Sequence, residues 1–320
     1  MRLARLLAPS LVVCFLIAAC SHTSSPPALP ITTTAAPGVV APAPAPTEPI
    51  SSNDAVSPAF PPPAPWAAAP VARGAVAAPV VNALAAVVID EASGAVLYDK
   101  AAHEPLPPAS LTKIATAILA LESGGLDTPV TVDVDSASMR GSTIMGLEPG
   151  DRFSLRDLLY GLMLPSGNDA ALAIARYVAG SDTAFVAQMN LLLVRLGLHD
   201  SHFENPHGLG GRNHVASAYD LAMLARYAMT LPGFFDIINA RSYVAHGSRT
   251  IALTNVNSFL GAYAGADGVK TGYTRGAGQT LVASAYRKGH RVYAVVLNSP
   301  TRNDDAVRML NWAFTNFSWP

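Results

Sequence analysis

Lysine and cysteine are both scarce in this sequence. Four lysines, Lys100, Lys113, Lys270 and Lys288, stand against 17 arginines in 320 residues, so the setting of each lysine is informative. Two cysteines, Cys14 and Cys20, cannot build a disulfide framework or a Cys-rich zinc site. Neither sign of charge is in excess, with 21 Lys+Arg against 22 Asp+Glu. That balance excludes the basic stripe of a nucleic-acid binder. There is no internal repeat. The length allows one large domain or two small ones, with ample chain for a buried core.

Residues 1–20 read as an export signal. Arg2 and Arg5 give a positive start, and Leu6 to Ala19 is uncharged and mostly apolar. At about 14 residues this run is too short for a bilayer-spanning helix, which needs roughly 20. It ends Leu16-Ile17-Ala18-Ala19-Cys20, which resembles the lipobox of bacterial lipoproteins, where the cysteine is lipidated and becomes the first mature residue. An ordinary signal peptide that happens to contain Cys20 is the competing reading. In both cases Cys14 is removed. The expectation is an exported protein, held to a membrane by lipid on Cys20.

From Ser21 to Val80 the composition changes. This stretch holds 15 of the 26 prolines and 16 alanines, with Glu48, Asp54 and Arg73 as its only charges. Alternation such as Ala41-Pro42-Ala43-Pro44-Ala45-Pro46 favours extended polyproline II and offers no apolar face to bury. Residues 21–80 are therefore expected to be a disordered, semi-rigid tether.

Globular patterning begins at Leu84. Ala85 to Asp90 and Ala95 to Tyr98, around Glu91-Ala92-Ser93-Gly94, predict a β-hairpin. A helix is predicted from about Ser110, with Ile114, Ile118 and Leu121 at helical spacing. Ser154 and Asp157 mark a capped helix start running to Leu164, and after Pro165-Ser166-Gly167 a further helix covers roughly 169–178. Helices are also predicted at 182–196, 217–229 and 303–315. Strands are predicted at 268–274, 279–287 and 290–298, with Lys288-Gly289 at the last turn. Helices in the middle and strands at both ends imply an α+β fold, an antiparallel sheet built from both ends of the domain and packed on a helical subdomain.

Three short patterns could carry chemistry: Ser110-Leu111-Thr112-Lys113, Ser166-Gly167-Asn168 and Lys270-Thr271-Gly272. By chance a Ser-x-x-Lys arises about 0.3 times here and a Ser-x-Asn about once, and Lys-Thr-Gly only about 0.02 times. Ser110 and Lys113 share one face of a helix start, where free N–H groups and the helix dipole favour negative charge. A lysine can take a serine proton only when neutral, and burial or a second cation such as Lys270 would favour that form. A helix cap at Ser110 and a solvated Lys113 are the plain alternatives. Ser166-Gly167-Asn168 lies in a tight break that could aim two polar side chains into a cleft; a loop with a helix cap is its alternative. Gly272, on a predicted strand, would let another backbone approach closely, as an edge strand receiving an extended peptide needs.

In this order, within Pro108-Ala109-Ser110-Leu111-Thr112-Lys113, Leu164-Pro165-Ser166-Gly167-Asn168-Asp169 and Asp267-Gly268-Val269-Lys270-Thr271-Gly272-Tyr273-Thr274, the patterns resemble the serine D-alanyl-D-alanine carboxypeptidases, the low-molecular-mass penicillin-binding proteins. Asn205-Pro206-His207-Gly208-Leu209 and Leu281-Val282-Ala283-Ser284-Ala285 are similar to family segments too. The resemblance spans roughly residues 84–318 and implies a β-lactamase/transpeptidase-like fold with no cofactor and no metal. It implies Ser110 as nucleophile, Lys113 as general base, Ser166 as proton donor to the leaving D-alanine and Asn168 as a support for the substrate amide. Backbone N–H groups of Ser110 and Tyr273 would form an oxyanion hole. Lys270, Thr271 and Arg302 would face the substrate carboxylate, and His207 would sit at the cleft rim. The implied partners are peptidoglycan stem peptides ending in D-Ala-D-Ala, with β-lactams as inhibitors. Many relatives also carry a β-rich second domain and a carboxy-terminal membrane helix. This sequence stops at Pro320, which moves the expected anchor to Cys20. An arginine that some relatives place before the Lys-Thr-Gly strand corresponds to Val256 here.

Three rivals are weighed against this reading. A class A β-lactamase needs a glutamate for its deacylating water, and the one glutamate between Ser166 and Lys270 is Glu204, outside any Glu-x-x-Leu-Asn segment. A zinc peptidase would use the crowded His199, His202, Glu204 and His207, whose spacing matches no metal-binding helix. A non-catalytic envelope lipoprotein would require all three patterns to be relics.

Overall fold

A computed structural model describes residues 67–320, apart from Val76 and Arg140. The export signal, Cys20 and most of the tether lie outside the described residues. The first element is the two-residue strand β1 (Val71–Ala72), followed by the hairpin of β2 (Ala85–Asp90) and β3 (Val96–Lys100). A 3-10 turn at Ala109–Thr112 runs directly into α1 (Lys113–Glu122). Short strands β4 (Pro129–Thr131) and β5 (Arg152–Ser154) pair ahead of α2 (Leu155–Met163). Then come α3 (Asn168–Ala179), α4 (Asp182–Arg195), α5 (Ala218–Ala228) and α6 (Phe234–Asn239). The hairpin of β6 (Ser242–His246) and β7 (Thr250–Thr254) and the short α7 (Phe259–Ala262) lead back to the main sheet. That sheet is completed by β8 (Ala266–Thr274), β9 (Gly278–Arg287) and β10 (His290–Ser299), before α8 (Arg302–Asn316) and β11 (Phe317–Ser318).

The sheet is antiparallel in the order β3-β2-β10-β9-β8, so both ends of the domain build it, as the sequence predicts. Its pleat divides the core in two. Ala86, Val88, Leu281, Ala283, Val292, Ala294 and Val296 pack on Met309, Leu310 and Ala313 of α8. The opposite pleat, with Val87, Ile89, Val282, Tyr293 and Val295, joins the larger core of the helical region. Burial on both faces explains why Ala85 to Ile89 is a continuous apolar run with no alternation. Ser154 and Asp157 close a capping box at the start of α2, each side chain bonding the other's backbone N–H.

Several features depart from the sequence reading: β4, β5, α6 and α7 were not anticipated, and the helix expected from Ser110 begins at Lys113 after a 3-10 turn. The β6–β7 hairpin was not anticipated, because each strand buries a single residue, Ala245 or Leu253, and so carries almost no apolar signal. The Pro/Ala-rich stretch extends to Val80 by composition, but its last ten residues run along the domain. Val71 and Ala72 pair with Ser318 and Phe317, Arg73 N–H donates to Asn316 O, and Trp312 Nε1 donates to Ala77 O. An extended chain makes no hydrogen bonds within itself, which leaves its backbone groups free to pair with a neighbouring segment. Among the described residues no helix is long and apolar enough to cross a membrane.

Candidate active site

Ala109 has φ 52, a left-handed conformation uncommon for a residue with a Cβ, and from it the chain enters the 3-10 turn that carries Ser110. Ser110 caps neither this turn nor α1. One turn on, Lys113 is fully buried, so it is not a solvated lysine. Its Nζ lies 3.1 Å from Ser110 Oγ, 2.6 Å from Asn168 Oδ1 and 2.9 Å from His207 O. Burial first, and the Lys270 charge second, hold its pKa well below the ordinary lysine value, against the opposing pull of Asp169. A neutral amine has two N–H donors and one lone pair. Asn168 Oδ1 and His207 O can only accept and therefore take the two donors, which leaves the lone pair for the Ser110 hydroxyl proton.

The Ser166 turn joins α2 to α3. Ser166 has φ 65, Thr143 Oγ1 donates to its carbonyl at 2.7 Å, and Asn168 N–H donates to Thr143 O at 2.9 Å. A Cβ at Gly167 would press on Gly161 O, Asp169 Oδ1 and Met145 N, so only glycine fits. The Ser166 hydroxyl is buried and has no hydrogen-bond partner. A buried polar atom left unpaired costs about 1–3 kcal/mol, and such atoms gather where a ligand completes the bonding.

Lys270 lies on β8, the free edge of the sheet, opposite Val282 and on the helical face. It is 1% exposed, and its Nζ donates to Thr271 O at 3.0 Å. Burial, then the nearby Arg302, lower its pKa to about 7. Arg302, at the start of α8, donates to Gly272 O at 2.8 Å, and burial lowers its own pKa. Among the described residues neither cation is paired with a carboxylate, so the two form a positive site open to an anion. Thr271 pairs with Leu281, which puts its side chain on the opposite pleat from Lys270, at the strand edge. Tyr273 is 67% exposed at the end of β8. A Cβ on Gly272 would overlap Thr280 Oγ1 and come within 3.0 Å of Ser110 N. The close approach anticipated at this glycine is thus made by the chain's own serine turn. It brings the backbone on either side of the proposed oxyanion hole together.

Ser110, Lys113, Asn168 and the backbone of His207 form one bonded cluster, with Gly272, Lys270 and Arg302 on its sheet side. The His207 imidazole is not part of it. Its Nδ1 accepts from Leu209 N–H, burial lowers its pKa to about 4, and it lines a cavity of about 330 Å³ with Leu172, Val186 and Glu204. The crowded histidines do not form a metal-binding group among the described residues: His202 Nδ1 faces Asn213 O, and Glu204 Oε2 accepts from Asn213 N–H. Val256 is half exposed, and its N–H donates to Leu164 O. Three residues that the sequence reading passed over hold the site. Asp169 accepts from the backbone of Met145, Gly146 and Leu147, and Thr112 and His214 are buried beneath the serine turn. Thr112 and Asp169 lie within the quoted motifs and His214 outside them, but nothing local reveals these roles, because the partners are distant in sequence.

A family model described as D-alanyl-D-alanine carboxypeptidase matches residues 72–301. The D-alanyl-D-alanine carboxypeptidase DacF of Bacillus subtilis is 38% identical over 228 residues, covering 68% of this chain and 58% of the relative. DacB2 of Mycobacterium tuberculosis is 35% identical over 219 residues, covering 65% and 74%. The chain therefore spans a little over half the length of the DacF relative. Among solved structures, the Streptomyces K15 DD-transpeptidase superposes with a TM-score of 0.70 at 32% identity, over 75% of this chain and all of that one. Penicillin-binding protein 6B of Escherichia coli gives 0.72 at 35%, over 78% and 83%. The family model covers well over half of the chain, and the chain belongs to the D-alanyl-D-alanine carboxypeptidase family.

Proposed function

We propose that this protein is a serine D,D-carboxypeptidase that removes the terminal D-alanine from peptidoglycan stem peptides. The observation that carries the reading is Lys113 Nζ, held by two acceptor oxygens with its lone pair left for Ser110 Oγ. Ser110 Oγ attacks the carbonyl between the two D-alanines as its proton passes to Lys113. Backbone N–H groups of Ser110 and Tyr273 stabilise the oxyanion, each donor being worth about 3–4 kcal/mol. The C–N bond breaks as Ser166 gives its hydroxyl proton to the leaving D-alanine and takes up the proton held on Lys113, so both groups are reset while the acyl group stays on Ser110. Water then hydrolyses the ester and restores the serine hydroxyl. Asn168 orients the substrate amide, and Lys270, Arg302 and the Thr271 hydroxyl at the strand edge take the terminal carboxylate. A β-lactam acylates the same serine and leaves slowly. Glu204, whose carboxylate is bonded to Asn213 N–H, offers no base for the fast deacylation of a β-lactamase.

The reading places the protein on the extracytoplasmic side of the envelope, anchored by lipid on Cys20 through the Pro/Ala-rich tether. Mass spectrometry of the penicillin-treated, cell-extracted protein tests both parts. The expected result is one penicilloyl adduct on the Ser110 peptide, absent from Ser110→Ala, and an amino-terminal peptide that begins at a lipidated Cys20. No adduct on Ser110 removes the enzymatic reading. An adduct with an unmodified amino terminus removes only the anchor.

A further inference from the structure

Thr112 and His214 are fully or almost fully buried next to the nucleophile and have no part in the reaction above. Their hydrogen bonds define a single direction. Glu204 N–H donates to His214 Nδ1 at 3.0 Å, so that nitrogen carries no proton. The imidazole is kept neutral by burial, which lowers its pKa to about 4, so its one proton sits on Nε2. Nε2 lies 2.7 Å from Thr112 Oγ1 and donates to it. The Thr112 hydroxyl then spends its own proton on Ala109 O, at 2.9 Å. The relay ends on the carbonyl of the left-handed residue that directly precedes Ser110.

That carbonyl is held from other sides as well. Gly208 packs so closely on it that a Cβ there would collide with Ala109 O, and a Cβ at Gly272 would come within 3.1 Å of Ala109 Cβ. The loop that supplies Glu204 N–H and Gly208 also supplies the His207 carbonyl to Lys113. A left-handed alanine is unfavourable and persists only where its surroundings enforce it.

We propose that His214 is a positioning residue which, through Thr112, locks the Ala109–Ser110 peptide in the orientation that presents the Ser110 hydroxyl to Lys113 and its N–H to the substrate. This rests on the acyl-enzyme reading above. Loss of the relay leaves the cleft and its cations in place but lets the nucleophile drift, and a misplacement of about 1 Å can cost about 10²-fold in rate.

The test is the rate of Ser110 acylation by a fluorescent penicillin in the mature chain, with non-covalent affinity and thermal midpoint measured alongside. His214→Leu and the isosteric Thr112→Val are each expected to acylate about 10²-fold more slowly with affinity nearly unchanged. The double variant should be no slower than either single one. Thr112→Ser, which keeps the hydroxyl, and His214→Gln, which keeps a side-chain N–H for Thr112, should recover much of the rate. Should His214→Leu fail to fold, Thr112→Val and the two conservative variants decide. Normal acylation in folded Thr112→Val, additive losses in the double variant, or losses that follow the thermal midpoint regardless of the hydroxyl would overturn the relay. A wild-type chain that is not acylated at all instead defeats the carboxypeptidase reading.

Discussion

A lysine ammonium has three donors and no lone pair, whereas the amine has two donors and one lone pair. Around Lys113 the acceptors number two, and the third neighbour is a hydroxyl able to give up its proton. On the proposed reading Lys270 works in the opposite sense, since it would have to be charged to hold a carboxylate, and burial, then Arg302, lower its pKa to about 7. The pH profile of kcat/KM reports these free-enzyme groups. Activity should rise with pH as Lys113 loses its proton and fall again as Lys270 loses its charge above about 7. Lys270→Arg, permanently charged, should lower the maximum and remove the alkaline limb. Steady-state rates on a stem-peptide analogue between pH 5 and 10 check this, and an unchanged alkaline limb would assign it to another group.

Between α2 and α3 the backbone must turn sharply enough to put Ser166 at φ 65. The element that enforces this turn is the 143–147 segment, clamped onto the first turn of α3. Asp169 accepts from Met145 and Gly146 N–H at 2.7 Å each and from Leu147 N–H at 2.9 Å. A carboxylate at a helix amino terminus is also favoured by the helix dipole. Asp169→Asn keeps the shape but puts an NH₂ in place of one accepting oxygen, against either Met145 N–H or the N–H groups of Gly146 and Leu147. The expected cost is about 3 kcal/mol. For a domain of this size, that corresponds to a fall of about 6–12 °C in Tm by calorimetry. Penicillin acylation should slow at the same time, because the strained serine loses its clamp.

At the scale of the whole molecule, burial lowers the pKa of several bases. His207 and His214 have pKa values of about 4 against an ordinary 6.5, Lys270 about 7 against 10.5, and Lys113 is shifted in the same direction. In each case the unfolded chain binds the proton at a pH where the native chain does not, so stability rises with pH through that window. Tyr227 and Tyr243, raised to about 12 from 10.0, keep their protons when the unfolded chain has lost them, which reverses the slope above pH 10. The thermal midpoint should therefore climb from about pH 4 toward pH 10 and then turn down. Lys270→Met should flatten the climb above pH 7, and calorimetry across that range checks both.

The sequence by itself determined the α+β class and the helices and strands around the main sheet, and it singled out Ser110, Lys113, Ser166 and Lys270 as the candidate reactive set. It could do so because periodicity and short motifs are local, and lysine is so scarce that each one is conspicuous. Only the tertiary structure decided what those residues face. The folded chain makes Lys113 dry and surrounds it with acceptors from two distant segments, leaves Ser166 Oγ unpaired, and presses Gly272 against the serine turn. It also turns the His207 imidazole away while using its carbonyl, and it buries Thr112 and His214 beneath Ala109. Burial and hydrogen-bond partnership are properties of segments far apart in the chain, 102 residues for Thr112 and His214 and 235 for Ala77 and Trp312. No window of sequence contains both ends of such a contact.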